Sequence, residues 1–146
     1  MALGAFAAAA SGALVLKYID TGIKVAEFLI SERLSLTVEN IRSYFDRKEV
    51  EKPSNFDPKE AKEFVGSLMK IDQRILDVIS DNINDAIENY VLCLKDANGR
   101  QEKNACDIRA ERAVCDSLNR IMDRNDDDLP SEYLKNQWKA FKCIRI

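Results

Sequence analysis

The chain has 146 residues, 46% of them apolar and 32% charged, with a net charge of −3, five Gly, three Pro and no histidine. That length makes one domain with a real core the simplest organisation, and the composition argues against disorder. The missing histidine excludes Ser-His and Cys-His nucleophile pairs and histidine metal ligands, and the negative charge gives no general attraction to nucleic acid.

The chain opens on an apolar stretch. Residues 2–16 are apolar apart from Ser11 and include the run Ala7, Ala8, Ala9 and Ala10. No positive charge precedes it, as an export signal requires. At 15 residues it is also short for spanning a bilayer. It reads as a buried or partner-facing helix. A remnant of an export signal and a membrane-inserting segment are the open alternatives, the latter making residues 2–16 the place of any membrane contact.

After Gly12, Leu16, Ile19, Ile23, Ala26 and Ile30 recur at helical spacing. Gly22 weakens this helix without ending it. Phe28 and Leu29 widen its apolar face, so a central position is expected. Ser35 to Val38 is briefly strand-like, and Thr37 also fits the cap of a helix carrying Ile41, Tyr44 and Phe45. Two outcomes fit: one helix to about residue 48, or a break near Ser35. Residues 49–57 read as a linker with Lys52, Pro53, Ser54 and Asn55. Asp57, Pro58 and Glu60 then stand in the cap, first and third positions of a new helix.

That helix is expected to run from Pro58 to about Leu94 on the stripe Phe64, Leu68, Ile71, Ile75, Val78 or Ile79, Ile83, Ile87, Tyr90 or Val91, and Leu94. Asn98 and Gly99 supply a turn. A further helix follows from about Gln101 to Arg124, with Ile108, Val114, Leu118, Ile121 and Met122 apolar. After Leu129 and Pro130 a last helix, with Ser131 as a candidate cap, carries Tyr133, Leu134, Trp138 and Phe141. The fold class is all-α, a bundle of four to five helices in a single domain, residues 1–146. It divides into an N-terminal helical region (1–48), a linker (49–57) and a disulfide-linked three-helix unit (58–146).

Cys93, Cys106, Cys115 and Cys143 allow three pairings. Cys93 and Cys106 stand at similar distances on either side of the turn at Gly99. Cys115 and Cys143 do the same about the turn at Asp127 and Asp128. Cys106 and Cys115 share one helix and lie nine residues apart, about half a turn out of phase at 100° per residue. One therefore faces the preceding helix and the other the following one, which gives Cys93–Cys106 and Cys115–Cys143. Paired cysteines point to an oxidising compartment, a secreted protein or a periplasmic one. Four free, buried thiols in a cytosolic protein are the alternative. With no CxxC and no histidine, zinc is not expected, and no other cofactor is implied.

Carboxylates and lysines supply the remaining candidates. Asp77, Asp81, Asp85 and Glu88 line one helix face at spacings of four, four and three. They fit a solvated face helped by Arg112 and Arg120 of the next helix, or else a cation site or a contact for a basic partner. Asp123 to Asp127 begins like a calcium loop, but Asp128 replaces the required Gly and Leu134 the required Glu, so calcium is not expected. Lys135, Lys139 and Lys142 lie on one face of the last helix beside Trp138 and Phe141. They read as a basic ridge with aromatic anchors for a protein partner, or as solvated lysines over core aromatics. No N-glycosylation sequon occurs.

In its cysteine-bearing helices the chain resembles the small all-helical, two-disulfide salivary proteins of blood-feeding insects. The resemblance implies a secreted, non-enzymatic protein-binding module, such as an inhibitor of host complement or coagulation. It transfers no functional residue. A membrane-active or pore-forming protein using residues 2–16, a periplasmic immunity or adaptor protein, and a carrier of an apolar ligand between helices are the competing readings. The sequence fixes no oligomeric state.

Overall fold

The computed structural model describes residues 12–124 and 132–143. These form six helices and no strand: α1 (Gly12–Ser31), α2 (Val38–Lys48), α3 (Pro58–Met69), α4 (Gln73–Asp96), α5 (Gly99–Arg124) and α6 (Glu132–Ala140). Two disulfides, Cys93–Cys106 and Cys115–Cys143, lie in the C-terminal part.

Helix α1 is the centre. It packs against α2, α3, α4 and α5. Leu16, Ile19, Ile23, Ala26 and Leu29 are fully buried, and so are Val15 and Val25, which widen the buried face. A helix apolar around most of its circumference is stable only inside others. Gly22 is the point of closest approach: a Cβ there would lie 2.9 Å from Cδ2 of Phe64 on α3.

Of the two outcomes open near Ser35, the break is found. Arg33 takes a left-handed conformation (φ 55°) that closes α1, and the Leu34 N–H donates to the Leu29 carbonyl. Thr37 then caps α2, its hydroxyl accepting from Asn40 N–H at 3.0 Å. At the next helix start, the Asp57 carboxylate accepts from Lys59 N–H at 3.1 Å with Pro58 in the first turn.

The segment between α2 and α3 is more than a tether. Phe56 is fully buried, its ring centroid 5.1 Å from Tyr18 and 5.7 Å from Phe45. It joins the first three helices through one aromatic cluster.

The single helix expected from Pro58 to Leu94 is two helices. The chain leaves α3 at Lys70, buries Ile71, and restarts α4 at Asp72, whose carboxylate accepts from Arg74 N–H at 2.8 Å. The short break keeps Ile71 in register with Leu68, so the apolar spacing runs on unbroken through it. It lets α3 and α4 each pack on α1. This break and the one near Ser35 account for six helices rather than four or five.

Glycine substitutions separate tight packing from spare room. At Gly22 an added Cβ gains about 1 kcal/mol of helix propensity. Against that stands overpacking of about 1–3 kcal/mol, because the Phe64 ring it meets is buried. Gly22→Ala is expected to lower the melting temperature. At Gly66 the only close neighbour among the described residues is the flexible end of Leu36, 2.8 Å from the added Cβ. Gly66→Ala is expected to be neutral or stabilising. Thermal melts followed by circular dichroism read both.

Candidate protein-interaction surface

The cysteine-bearing helices are built by local geometry. Gly99 takes a positive φ of 85° that turns α4 back into α5, and the Glu102 carboxylate accepts from Asn98 N–H beside it. The two helices then run antiparallel. Cys93 and Cys106 meet with their Cα atoms 5.8 Å apart, and Cys115 and Cys143 at 5.4 Å. The pairing expected from the spacing is the one found. Two disulfides of this kind fit an oxidising, extracellular-type environment, and no described helix is long and apolar enough to cross a membrane.

Lys142 has a specific part in the second bridge. It takes the left-handed conformation (φ 53°), while Lys142 N–H donates to the Lys139 carbonyl and Cys143 N–H to that of Trp138. This helix stop aims Cys143 back at Cys115. The expected basic ridge is therefore split. Lys139 lies exposed near the end of α6, Lys135 is half-buried, and Lys142 is an exposed residue beyond the helix. Trp138 turns inward: its indole N–H donates to Asn119 Oδ1 on α5 at 2.8 Å. Trp138 and Phe141 pack against the core.

The acidic face of α4 is exposed throughout. Asp77, Asp81, Asp85 and Glu88 all face solvent. Gln73 Nε2 donates both to Asp77 Oδ1 and to Glu27 Oε2 of α1, each at 2.9 Å. Burial lifts the Glu27 carboxyl above its ordinary value; the Gln73 hydrogen bond opposes the lift and the Asp77 charge adds to it. The expected help from Arg112 and Arg120 is not found. Among the described residues neither guanidinium is within ion-pair distance of these carboxylates. Hairpin register sets height along the helices, but pairing also needs the right angle around them. Arg120 instead lines a groove between α4 and α5, together with Asp85, Asp96, Arg109 and Asp116.

Two contacts brace the hairpin near Cys93–Cys106. Arg109 Nη1 donates weakly to Cys93 Sγ at 3.9 Å. Tyr90 O–H donates to Asp107 Oδ1 at 2.6 Å. That hydrogen bond, with burial and the Asp107 charge behind it, pushes the Tyr90 phenol from 10.0 up to about 12. Sequence reasoning placed Tyr90 on the apolar stripe and missed Asp107. Their separation across the turn at Gly99, close to that of the cysteines, was the available signal.

Of residues 2–16, Gly12, Val15 and Leu16 are buried. Leu14 is exposed, and residues 2–11 lie outside the described part. So do the turn at residues 125–130, most of the calcium-like stretch, and the side chains of Tyr133 and Leu134. Among the described residues no group of three or more Cys, Asp or Glu is arranged to hold a metal ion.

The staples divide the labour, and each removal has its own signature. Loop closure attributes about 3 kcal/mol to the shorter cross-link and between about 3 and 4 kcal/mol to the longer. Replacing Cys93 and Cys106 with Ser is expected to raise amide exchange mainly between residues 91 and 106, beyond Ile87 and Tyr90, which pack against the core. Replacing Cys115 and Cys143 is expected to release α6 and the Trp138–Asn119 contact. The Tyr90 phenol loses its proton later in the folded chain than in the unfolded one. Its contribution to stability is therefore complete below about pH 10 and is lost as the pH rises from there toward about 12. Tyr90→Phe is expected to flatten that alkaline loss and to remove the latest component of the tyrosinate absorbance titration.

No family model matches this chain, and no similar curated protein or solved structure was found.

Proposed function

We propose that the protein is a secreted, non-enzymatic protein-binding module acting as an inhibitor of host defence proteins such as those of complement or coagulation. One observation carries the reading. The stapled α4–α5 hairpin presents Val78, Val91, Leu92 and Ile108 to solvent, each about half exposed (55%, 57%, 51% and 49%). Apolar side chains left out of a core that has room to bury Leu76, Ile79, Ile83 and Val114 on the same two helices are candidates for contact with another molecule. The braces at Cys93–Cys106 and Tyr90–Asp107 favour this use, because a rigid surface loses less entropy on binding. The chain has no histidine, which removes the commonest general acid–base residue.

Immobilised, oxidised protein is expected to retain one or a few plasma proteins saturably, and to delay complement lysis or clotting in plasma. Reduced and alkylated protein serves as control. Equal retention on both forms, with neither assay changed, overturns the reading. Retention from a bacterial periplasmic extract in place of plasma would favour an immunity or adaptor role.

A further inference from the structure

We propose that the open groove between α4 and α5 is the docking site for a basic amphipathic helix of the partner protein. The proposal rests on the protein-binding reading above and names the surface and the occupant.

The α4–α5 pair has two sides. On one, α1 seats itself so closely that a Cβ on Gly12 would lie 2.9 Å from the backbone of Ala110. The other holds a groove of about 550 Å3, lined only by residues of α4 and α5 among those described. Its floor is low. Ala86, Ala110, Ala113 and the Cys93–Cys106 bridge line it, and small floor groups let a third helix approach closely. The lining runs from Asn82 to Asp96 along α4, about 21 Å at the helical rise, which suits an occupant of about 14 residues.

The α4 wall continues into an exposed helix face. Val78, Asp81, Asp85, Glu88 and Leu92 are spaced three, four, three and four and form one seam along the face of α4 beside the groove, of which Asp85 and Leu92 line the groove itself. All five are exposed. The seam is aliphatic at both ends and anionic between them. Among the described residues Asp81, Asp85 and Glu88 form no ion pair.

Charge decides the occupant. Asp85, Asp96 and Asp116 line the groove against Arg109 and Arg120, and Asp81 and Glu88 on the adjoining exposed face make the α4 side the negative one, with Lys95 near the turn. A helix with a leucine stripe for Leu92 and the alanine floor, flanked by lysine or arginine toward α4, complements this surface. An acidic helix does not.

The test uses two 14-residue probes, each with leucine at helical spacing, the other positions being lysine in one and glutamate in the other. The lysine peptide is expected to bind the full oxidised protein saturably. Amide shifts in a 15N-labelled sample should centre on residues 82–96 and 109–120. The glutamate peptide should leave the spectrum unchanged. Asp81→Lys with Asp85→Lys is expected to weaken binding by about tenfold or more. Ala113→Trp, which fills the floor without altering charge, should abolish it. Asn89→Trp on the exposed rim serves the same purpose if Ala113→Trp does not fold. No binding, shifts centred elsewhere, or binding untouched by the filling variants overturns the proposal. The plasma experiment stands apart: a plasma protein retained equally by wild type and by these variants sinks the groove and keeps the protein-binding reading. No retained protein sinks that reading whatever the peptides do.

Discussion

Two cysteines on opposite faces of one helix hold the C-terminal half together. Cys106 is tied to α4 and Cys115 to the chain just beyond α6, so α5 cannot move without both neighbours. Their separation of nine positions sets this angle, because nine steps of about 100° end half a turn away. Other local details serve the same two bonds. Gly99 reverses the chain so that Cys93 meets Cys106. The left-handed Lys142 stops α6 so that Cys143 turns back to Cys115.

The bonds matter because the core is unevenly distributed. Apolar burial concentrates around α1, where Tyr18, Phe56 and Phe64 cluster and Ile19, Ile23 and Leu29 are wholly enclosed. Along α4 the fully buried positions stop at Ile83, and toward the start of α5 none is buried before Cys106. The outer part of the hairpin therefore stands beyond the core. It relies on one disulfide, the Tyr90–Asp107 hydrogen bond and the packing of two helices against each other. Such a projection is well placed to meet another molecule, since little of its surface is committed to folding. The exposed carboxylates of α4, which form no ion pair among the described residues, fit that division, as surface repulsion of a few tenths of a kcal/mol per pair is easily borne.

How far the chain could be read before folding depended on the range of each interaction. The start at Asp57 and Pro58 was legible, because capping involves a side chain and a backbone N–H two or three residues away. The break at Lys70 to Asp72 was not, since Ile71 stays buried in register and apolar spacing carries straight across it. Phe56 was hidden in a charged, proline-containing stretch, and its place is set by Tyr18 and Phe45 on two other helices. The candidate surface was half legible. Spacing alone puts Asp77, Asp81 and Asp85 on one exposed helix face, but hairpin register gives Arg112 and Arg120 only a height and not the angle that pairing needs. Lys135, Lys139 and Lys142 were grouped by spacing, which assumes a helix that stops before Lys142.

The sequence by itself determined the helical class, the helix start at Asp57, the turn at Gly99 and the pairing of the four cysteines, and it left the start at Thr37 as one of two outcomes. All follow from geometry that repeats along a single helix or across one turn. Only the tertiary structure decided that Phe56 enters the core, that Trp138 turns inward to Asn119, and that one side of α4–α5 is covered by α1 while the other stays open. Those outcomes depend on which helix arrives from elsewhere in the chain. Periodicity records that a face is apolar or charged; it carries no record of the neighbour that covers it.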